Sequence, residues 1–228
     1  MRLDEFDYEL PEDLIATRPA EPRDHSRLLD ISKVTGQIAR RRFNSIVDSF
    51  ADGDVLVLNN TKVLPARLFG NIAAKTGEFE ILLLEKKAAL HWICMARPGK
   101  KVKNGLEIIF PDNVSGWITR RNDDRFEIRF RNVTEEKFLG WLSKAGVPPL
   151  PPYIKRDAET TDYDRYQTVF AKSPGSVAAP TAGLHFTPAV LEKLRAKGVE
   201  ILEVTLHVGY GTFSPIRAEN IKDLVLVS

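Results

Sequence analysis

Asp54-Val55-Leu56-Val57-Leu58-Asn59-Asn60-Thr61-Lys62-Val63-Leu64-Pro65-Ala66-Arg67-Leu68-Phe69-Gly70 is the stretch on which the fold turns. Its first part, released by the Asp52-Gly53 turn, is a continuous apolar run from Asp54 to Leu58. Such runs belong to strands covered on both faces, so this one is expected to be core. Asn59, Asn60, Thr61 and Lys62 stand at its carboxyl end, where open α/β sheets bind ligands. From Pro65 onward the texture changes to short strand-like pieces: 66–70, 79–84, 92–96, 106–110, 116–120 and 126–130. Pro98-Gly99, Asn104-Gly105 and Pro111-Asp112-Asn113 punctuate them. Evenly spaced short strands without intervening helices predict a small barrel or sandwich, inserted into the surrounding α/β chain.

Upstream of this stretch, Leu10 to Ile15 predicts a short helix that stops before Arg18-Pro19. Leu28 to Ile31 and Gln37 to Ala39 predict a hairpin about Thr35-Gly36, and Ser45 to Phe50 a second short helix. Downstream, Thr134 to Ala145 reads as a helix with Gly146 at its C′ position. The following Pro148-Pro149-Leu150-Pro151-Pro152 must be extended and marks the return from the insertion. Pro188 to Lys197 is amphipathic, with Val190, Leu191 and Leu194 on one face, and Val199 to Leu206 predicts a strand. The expected architecture is therefore α/β: a mixed-sheet main domain in two parts, residues 1–64 and 149–228, with an inserted small β-barrel domain at 65–148.

Two segments carry the chemistry. From Arg165 to Thr187, Arg165, Gln167, Ser176, Thr181, Gly183 and His185 gather among small alanines, as a backbone does when a ligand must approach closely. The segment ends at Thr187-Pro188, an N-cap and N1 pair. His185 and Phe186 are thus expected just ahead of free N–H groups that favour an anionic ligand. The second segment, His207-Val208-Gly209-Tyr210-Gly211-Thr212-Phe213, follows the last strand, and both loops can converge at one end of a sheet. A tight loop before a well-capped helix would share the local features of the first.

Several chemistries are excluded. Gly209 and Gly211 suggest a dinucleotide fingerprint, but Ser214-Pro215 stands where the third glycine and a helix belong, and no Walker lysine motif occurs. The four histidines have neither paired helical spacing nor cysteine partners, so no metal site is expected. With a single Cys94 there is no intrachain disulfide, and a reducing compartment is the simplest inference. In 228 residues, 43% hydrophobic and 28% charged, the acidic N-terminus lacks the apolar core of a signal peptide and no run reaches membrane-spanning length. A cytoplasmic protein without membrane contact is expected. The formal charge of +2 permits a polyanionic partner through its clusters: Arg40 to Arg42, Arg97 with Lys100, Lys101 and Lys103, and Arg120-Arg121.

The chain resembles the S-adenosylmethionine:tRNA ribosyltransferase-isomerases of queuosine biosynthesis. The likeness runs through residues 10–16, 26–29, 59–68, the Arg97-Pro98-Gly99-Lys100-Lys101 turn, 149–154, and above all 165–187 and 205–213. It implies the same α/β domain with inserted barrel. It also implies transfer of the ribosyl part of S-adenosylmethionine to 7-aminomethyl-7-deazaguanine at the tRNA wobble position, with isomerisation to epoxyqueuosine and loss of adenine and methionine. S-adenosylmethionine is then a substrate, and no permanently bound cofactor is expected. In that chemistry His185 and His207 are the candidates for proton transfer. Arg165, Tyr166, Gln167, Thr168, Ser176, Thr181, Gly183, Gly209, Gly211, Thr212, Asn60, Lys62 and Arg67 are candidates to hold the substrate, Phe186 or Phe213 to stack on adenine, and Arg97, Lys100, Lys101 and Lys103 to meet RNA.

The chain departs from the family at three places. Phe170 stands where Tyr is usual and Ser214 where a basic residue is common. After Ile221 the family continues with a His-x-Met-His-x-Glu element and more of the α/β domain, whereas this chain reads Lys222 to Ser228. A shortened form is therefore expected, and the alternative function is that of a noncatalytic tRNA-binding relative. The expected state is a monomer, with dimerisation through an open strand edge as the other possibility.

Overall fold

The structure is a computed structural model and describes residues 3–72, 77–122, 124–209 and 211. Its clearest unit is the insertion. Strands β5 (Arg67–Ile72), β6 (Glu78–Ala88), β7 (His91–Arg97), β8 (Glu107–Ile109), β9 (Ser115–Asn122) and β10 (Arg125–Arg131) close into an antiparallel barrel in the order β10-β7-β6-β5-β8-β9. The alternation that predicted strands also fills the interior. Leu68, Ile81, Leu83, Cys94, Ile108, Ile118, Phe126 and Ile128 are all fully buried, while intervening residues face outward.

Helix α1 (Glu135–Ala145) follows the barrel and adds Phe138, Trp141 and Leu142 to its core. Phe130 joins them, with its ring centroid 4.9 Å from Phe138 and 5.8 Å from Trp141. Gly146 ends this helix, but not as a left-handed C′ residue. Its φ is −94°, and the reason for glycine is space, since a Cβ there would lie 1.9 Å from the Pro65 carbonyl oxygen. The outgoing and returning chains are thereby pressed together at the domain junction, and Arg67 and Val147 exchange backbone hydrogen bonds of 3.2 and 2.9 Å across it.

The main body is built differently. β1 (Arg27–Ile31) and β2 (Ile38–Arg42) form the expected hairpin. β3 (Val55–Asn59) pairs in parallel with β12 (Glu200–Val204), and β4 (Thr61–Val63) in parallel with β11 (Ser173–Ser176). Between them come α2 (Asp162–Arg165) and α3 (Pro188–Ala196). Both short helices expected near the N-terminus are 3-10 turns, Glu12–Leu14 and Phe43–Ser49.

The expectation that β3 is covered on both faces is not met. Leu58 is buried and Leu56 packs inward with Val190, Leu191 and Leu194 of α3. Val55 and Val57 are 51% and 56% exposed, as are Leu202 at 45% and Val204 at 40% on the neighbouring strand. Among the described residues β3 and β12 form a two-stranded ribbon. Period-2 alternation therefore puts half of its aliphatic residues on a face that α3 does not reach.

Candidate active site

The site begins with two asparagines. The Asn59 side chain accepts from the Thr61 and Leu206 backbone N–H groups at 3.1 and 3.0 Å and donates to the Leu206 carbonyl at 2.8 Å. Asn60 donates to Glu203 at 3.0 Å and accepts from the Thr205 hydroxyl at 2.7 Å. The chain leaving β12 is thus pegged to the end of β3, and His207 is delivered beside β4. There its Nδ1 lies 2.7 Å from the Thr61 hydroxyl, and Thr61 is fully buried.

Ser176 completes the support. It is fully buried, its Oγ accepts from the Val208 N–H at 2.8 Å, and its hydroxyl has the Ala178 and Val208 carbonyls as acceptors at 2.7 and 3.2 Å. Gly175 is required by what lies against it. Its φ is +153°, and a Cβ would come within 2.7 Å of the His207 ring.

This pegged loop opens on a cavity of about 650 Å³ between body and insertion. Gly175, His207, Gly209 and Gly211 line one side. The other is formed by residues of the barrel strands and α1, with Leu84, Leu90, Trp92, Phe138 and Leu139 as its apolar lining. Charges stand on that side too: Glu85, Lys86, Arg125 and Glu135, of which Lys86 and Glu135 form an ion pair at 2.9 Å. Trp92 is 4% exposed, and its indole N–H has no acceptor among the described residues. Size, concavity and a few polar groups on an apolar lining are the attributes of a small-molecule site.

His185 is held elsewhere, and the cavity takes in His207 without it. Its Nδ1 lies 2.8 Å from the Ser26 hydroxyl, and its ring packs 5.2 Å from that of Phe43. Burial lowers its pKa below the ordinary 6.5, and nearby Arg23 lowers it further. Arg23 itself donates to the carbonyls of Gln167, Leu184 and Asp164, tying the N-terminal loop to the Arg165–His185 segment. Among the described residues, the cavity is lined by the His207 loop and not by His185.

Within that segment many polar groups serve the fold. Gln167 is bonded at both ends of its amide to Val63, accepting from its N–H at 3.0 Å and donating to its carbonyl at 2.7 Å. Arg165 donates to the Ala20 carbonyl and pairs with Glu21. Tyr166 is buried, which pushes its hydroxyl up to about 12. Thr168 is 5% exposed with its hydroxyl unpartnered, and Gly183 is buried against it and Phe170. Thr181 is exposed at the start of the 3-10 turn Thr181–His185. Phe186 lies in the body's core, edge-on to Phe43 at 4.9 Å, with little ring left for a nucleobase. The helix start after it caps as expected, with Thr187 accepting from Val190 N–H at 3.2 Å. Thr187 also donates to Asp24, so a carboxylate already stands there. Thr212 and Phe213 lie outside the described residues.

On the insertion, Arg67 is spent on Glu80 at 2.8 Å and stacks over Phe69. Lys62 is exposed at the middle of β4. Arg97, Lys100, Lys101 and Lys103 project from a 3-10 turn, Gly99–Lys101, which the fully buried Val102 anchors to the barrel. His91 pairs with Glu127 at 3.0 Å on the barrel wall. Cys94 points inward, and burial pushes its thiol up to about 12, which removes it as a nucleophile. No helix among the described residues is long and apolar enough to cross a membrane.

Sequence reading missed Ser26 and Thr61, the partners of the two histidines, and the barrel's half of the cavity. Thr61 stood inside a polar group already singled out. Nothing local marks Glu85 or Arg125, which line the cavity together with the loops.

Residues 3–228 match the family model described as Queuosine biosynthesis protein. An S-adenosylmethionine:tRNA ribosyltransferase-isomerase of Citrifermentans bemidjiense is 48% identical over 225 residues, covering 98% of this chain and 65% of the relative. The protein of that name from Dinoroseobacter shibae is also 48% identical, over 97% of this chain and 64% of its own length. A crystal structure of S-adenosylmethionine tRNA ribosyltransferase from Thermotoga maritima shares 36% identity over 90% of this chain and 58% of that one, at a TM-score of 0.37. The chain thus spans just under two thirds of the length of these curated relatives. With a family match over nearly all its residues, it belongs to the queuosine biosynthesis protein family.

Proposed function

We propose that the chain acts on S-adenosylmethionine and tRNA, moving the ribosyl moiety of the former onto 7-aminomethyl-7-deazaguanine at the wobble position and isomerising it to give epoxyqueuosine. The observation that carries this reading is the cleft itself: a glycine-lined loop presenting His207 to a cavity of nucleoside size, in a chain of this family. The chemistry needs a base for the acidified carbon beside the sulfonium, a proton for departing adenine, and exclusion of water from intermediates. His207 is the group suited to the first two tasks. Thr61 engages Nδ1, which leaves Nε2 for proton transfer. The apolar wall of Trp92, Phe138 and Leu139 serves the third. His185, bonded to Ser26 away from the cavity, has a positioning role in this scheme. Arg97, Lys100, Lys101 and Lys103 offer an exposed cationic turn to the phosphates of the tRNA.

The test is adenine release from S-adenosylmethionine in the presence of tRNA carrying the aminomethyl base. Release that depends on that tRNA, is abolished by His207→Ala and survives His185→Ala bears the reading out. Salt-sensitive tRNA binding without release from a folded sample selects the noncatalytic relative instead. Four neutralised phosphates would give that binding a log–log salt slope of roughly −3 to −4.

A further inference from the structure

Two charges on the cavity wall have no partner among the described residues. Glu85 and Arg125 both line the cavity, both are exposed, and neither makes a side-chain hydrogen bond or ion pair among the described residues. Their neighbours Lys86 and Glu135 neutralise each other at 2.9 Å, so the local excess is one carboxylate and one guanidinium. Opposite charges that share a cavity without meeting are complementary to a ligand that carries both signs and bridges them.

The backbone aims one of them deliberately. In β6 the register against β7 slips between Leu83, paired with Cys94, and Glu85, paired with Ile93. Strict alternation would send Leu83 inward and Leu84 outward. The bulge instead leaves both buried, at 0% and 8%, and turns Glu85 to the cavity rim. Bulges re-aim side chains in this way beside binding sites. Arg125 opens β10 on the same wall, directly after the β9–β10 turn. Trp92 and Phe138, ring centroids 5.9 Å apart and each 4% exposed, line the same cavity beside the more open Leu90 and Leu139, which together make an apolar lining suited to a thioether.

We propose that Glu85 and Arg125 form a subsite for an α-amino acid zwitterion with a sulfur-bearing side chain, Arg125 taking the carboxylate, Glu85 the ammonium, and the apolar lining around Leu90 and Leu139 the sulfur. This rests on reading the cleft as the donor site, and it assigns the methionyl end of S-adenosylmethionine to the barrel wall. The adenosyl end then points toward Gly175 and His207. The insertion thereby supplies half of the small-molecule site in addition to its cationic turn.

Free L-methionine is the probe, followed by saturation-transfer NMR on the 228-residue chain, with S-adenosylmethionine titrated separately. Saturable methionine binding is expected, weakened about tenfold or more by Glu85→Gln or by Arg125→Gln, the loss of a hydrogen bond to a charged group. 3-(Methylthio)propylamine and 3-(methylthio)propionate, each lacking one charge, should fail to compete. Both substituted side chains are exposed, so circular dichroism should report an unchanged fold. Absence of methionine binding to the folded chain, or binding indifferent to both substitutions, overturns the subsite. Methionine binding that needs both charges, without any binding of S-adenosylmethionine, upholds the subsite and removes the donor reading. Binding of S-adenosylmethionine that ignores both charges does the reverse.

Discussion

The insertion and the main body solve the problem of stability in opposite ways. The barrel closes on itself with no free strand edge, and its pairings are mostly between strands adjacent in sequence. Its core is continuous with α1. The body is assembled from strand pairs more than a hundred residues apart, β3 with β12 and β4 with β11, held by pegs such as Asn59 to Leu206 and Gln167 to Val63. It leaves Val55, Val57, Leu202 and Val204 on an exposed face. The barrel can spend its outer wall on function because its interior already carries the fold. The body spends side chains that look functional on holding itself together, and its loops are correspondingly the part that can be tuned.

The largest effect should come from breaking the barrel's core. Phe130 is 4% exposed between Phe110, Phe138 and Trp141. Phe130→Ala should cost about 3–5 kcal/mol through lost burial and the cavity left behind. Hydrogen exchange should then show barrel amides losing protection while those of β3 and β12 keep theirs. Simultaneous loss in both regions would mean that they unfold as one unit, and the contrast drawn above would fall.

A smaller and more local effect is expected in the body. Asn59→Ala removes three hydrogen bonds, two joining the end of β3 to Leu206 and one holding the Thr61 N–H, at a cost of about 1–2 kcal/mol for groups that water can re-satisfy. The Thr61 and Leu206 amides should exchange faster, and the His207 ring resonances should shift as its loop loosens, with the barrel unchanged. Unaltered His207 resonances would show that Ser176 alone suffices to hold the loop.

This division also explains what was legible in the sequence. Antiparallel strands with short turns write their pairing locally, so Pro98-Gly99, Asn104-Gly105 and the period-2 burial of β5 to β10 could be read directly, and the Pro-rich return marked the boundary. The parallel pairs carry no such mark. β4 and β11 have three and four residues, and Ser173-Pro174-Gly175-Ser176 has the composition of a loop. The run from Asp54 to Leu58 misled because an apolar stretch announces what it can bury and not whether anything covers it. At the site, the small-residue pattern singled out two segments, of which Gly175, His207, Gly209 and Gly211 line the cavity. It could not distinguish Ser176, a peg for Val208, from a substrate ligand, since either role asks for a hydroxyl in a tight place. Glu85 and Arg125 gave no signal because their meaning lies in a cavity formed by residues 64 to 211 together.

The smallest effect sharpens the comparison through pH. His185 in the body is half-buried, with its pKa lowered by burial and by Arg23, whereas His91 sits against Glu127 on the barrel's outer wall. A histidine held neutral by the fold gains its proton first in the unfolded chain. Its contribution to stability is therefore complete above its ordinary value of 6.5 and declines as the pH falls through that value toward the lower folded one. The carboxylate of Asp162, paired with Arg156, does not confuse this window, because its contribution is complete above its ordinary value of 3.8 and declines only as the pH falls through that value toward the lower folded one. Urea unfolding of the wild type should accordingly show stability falling between pH 7 and pH 5. His185→Gln, which keeps a hydrogen-bonding group near Ser26, should flatten that slope. A slope untouched by His185→Gln would place the titrating group elsewhere and leave the imidazole as exposed to solvent protons in the fold as it is in the unfolded chain.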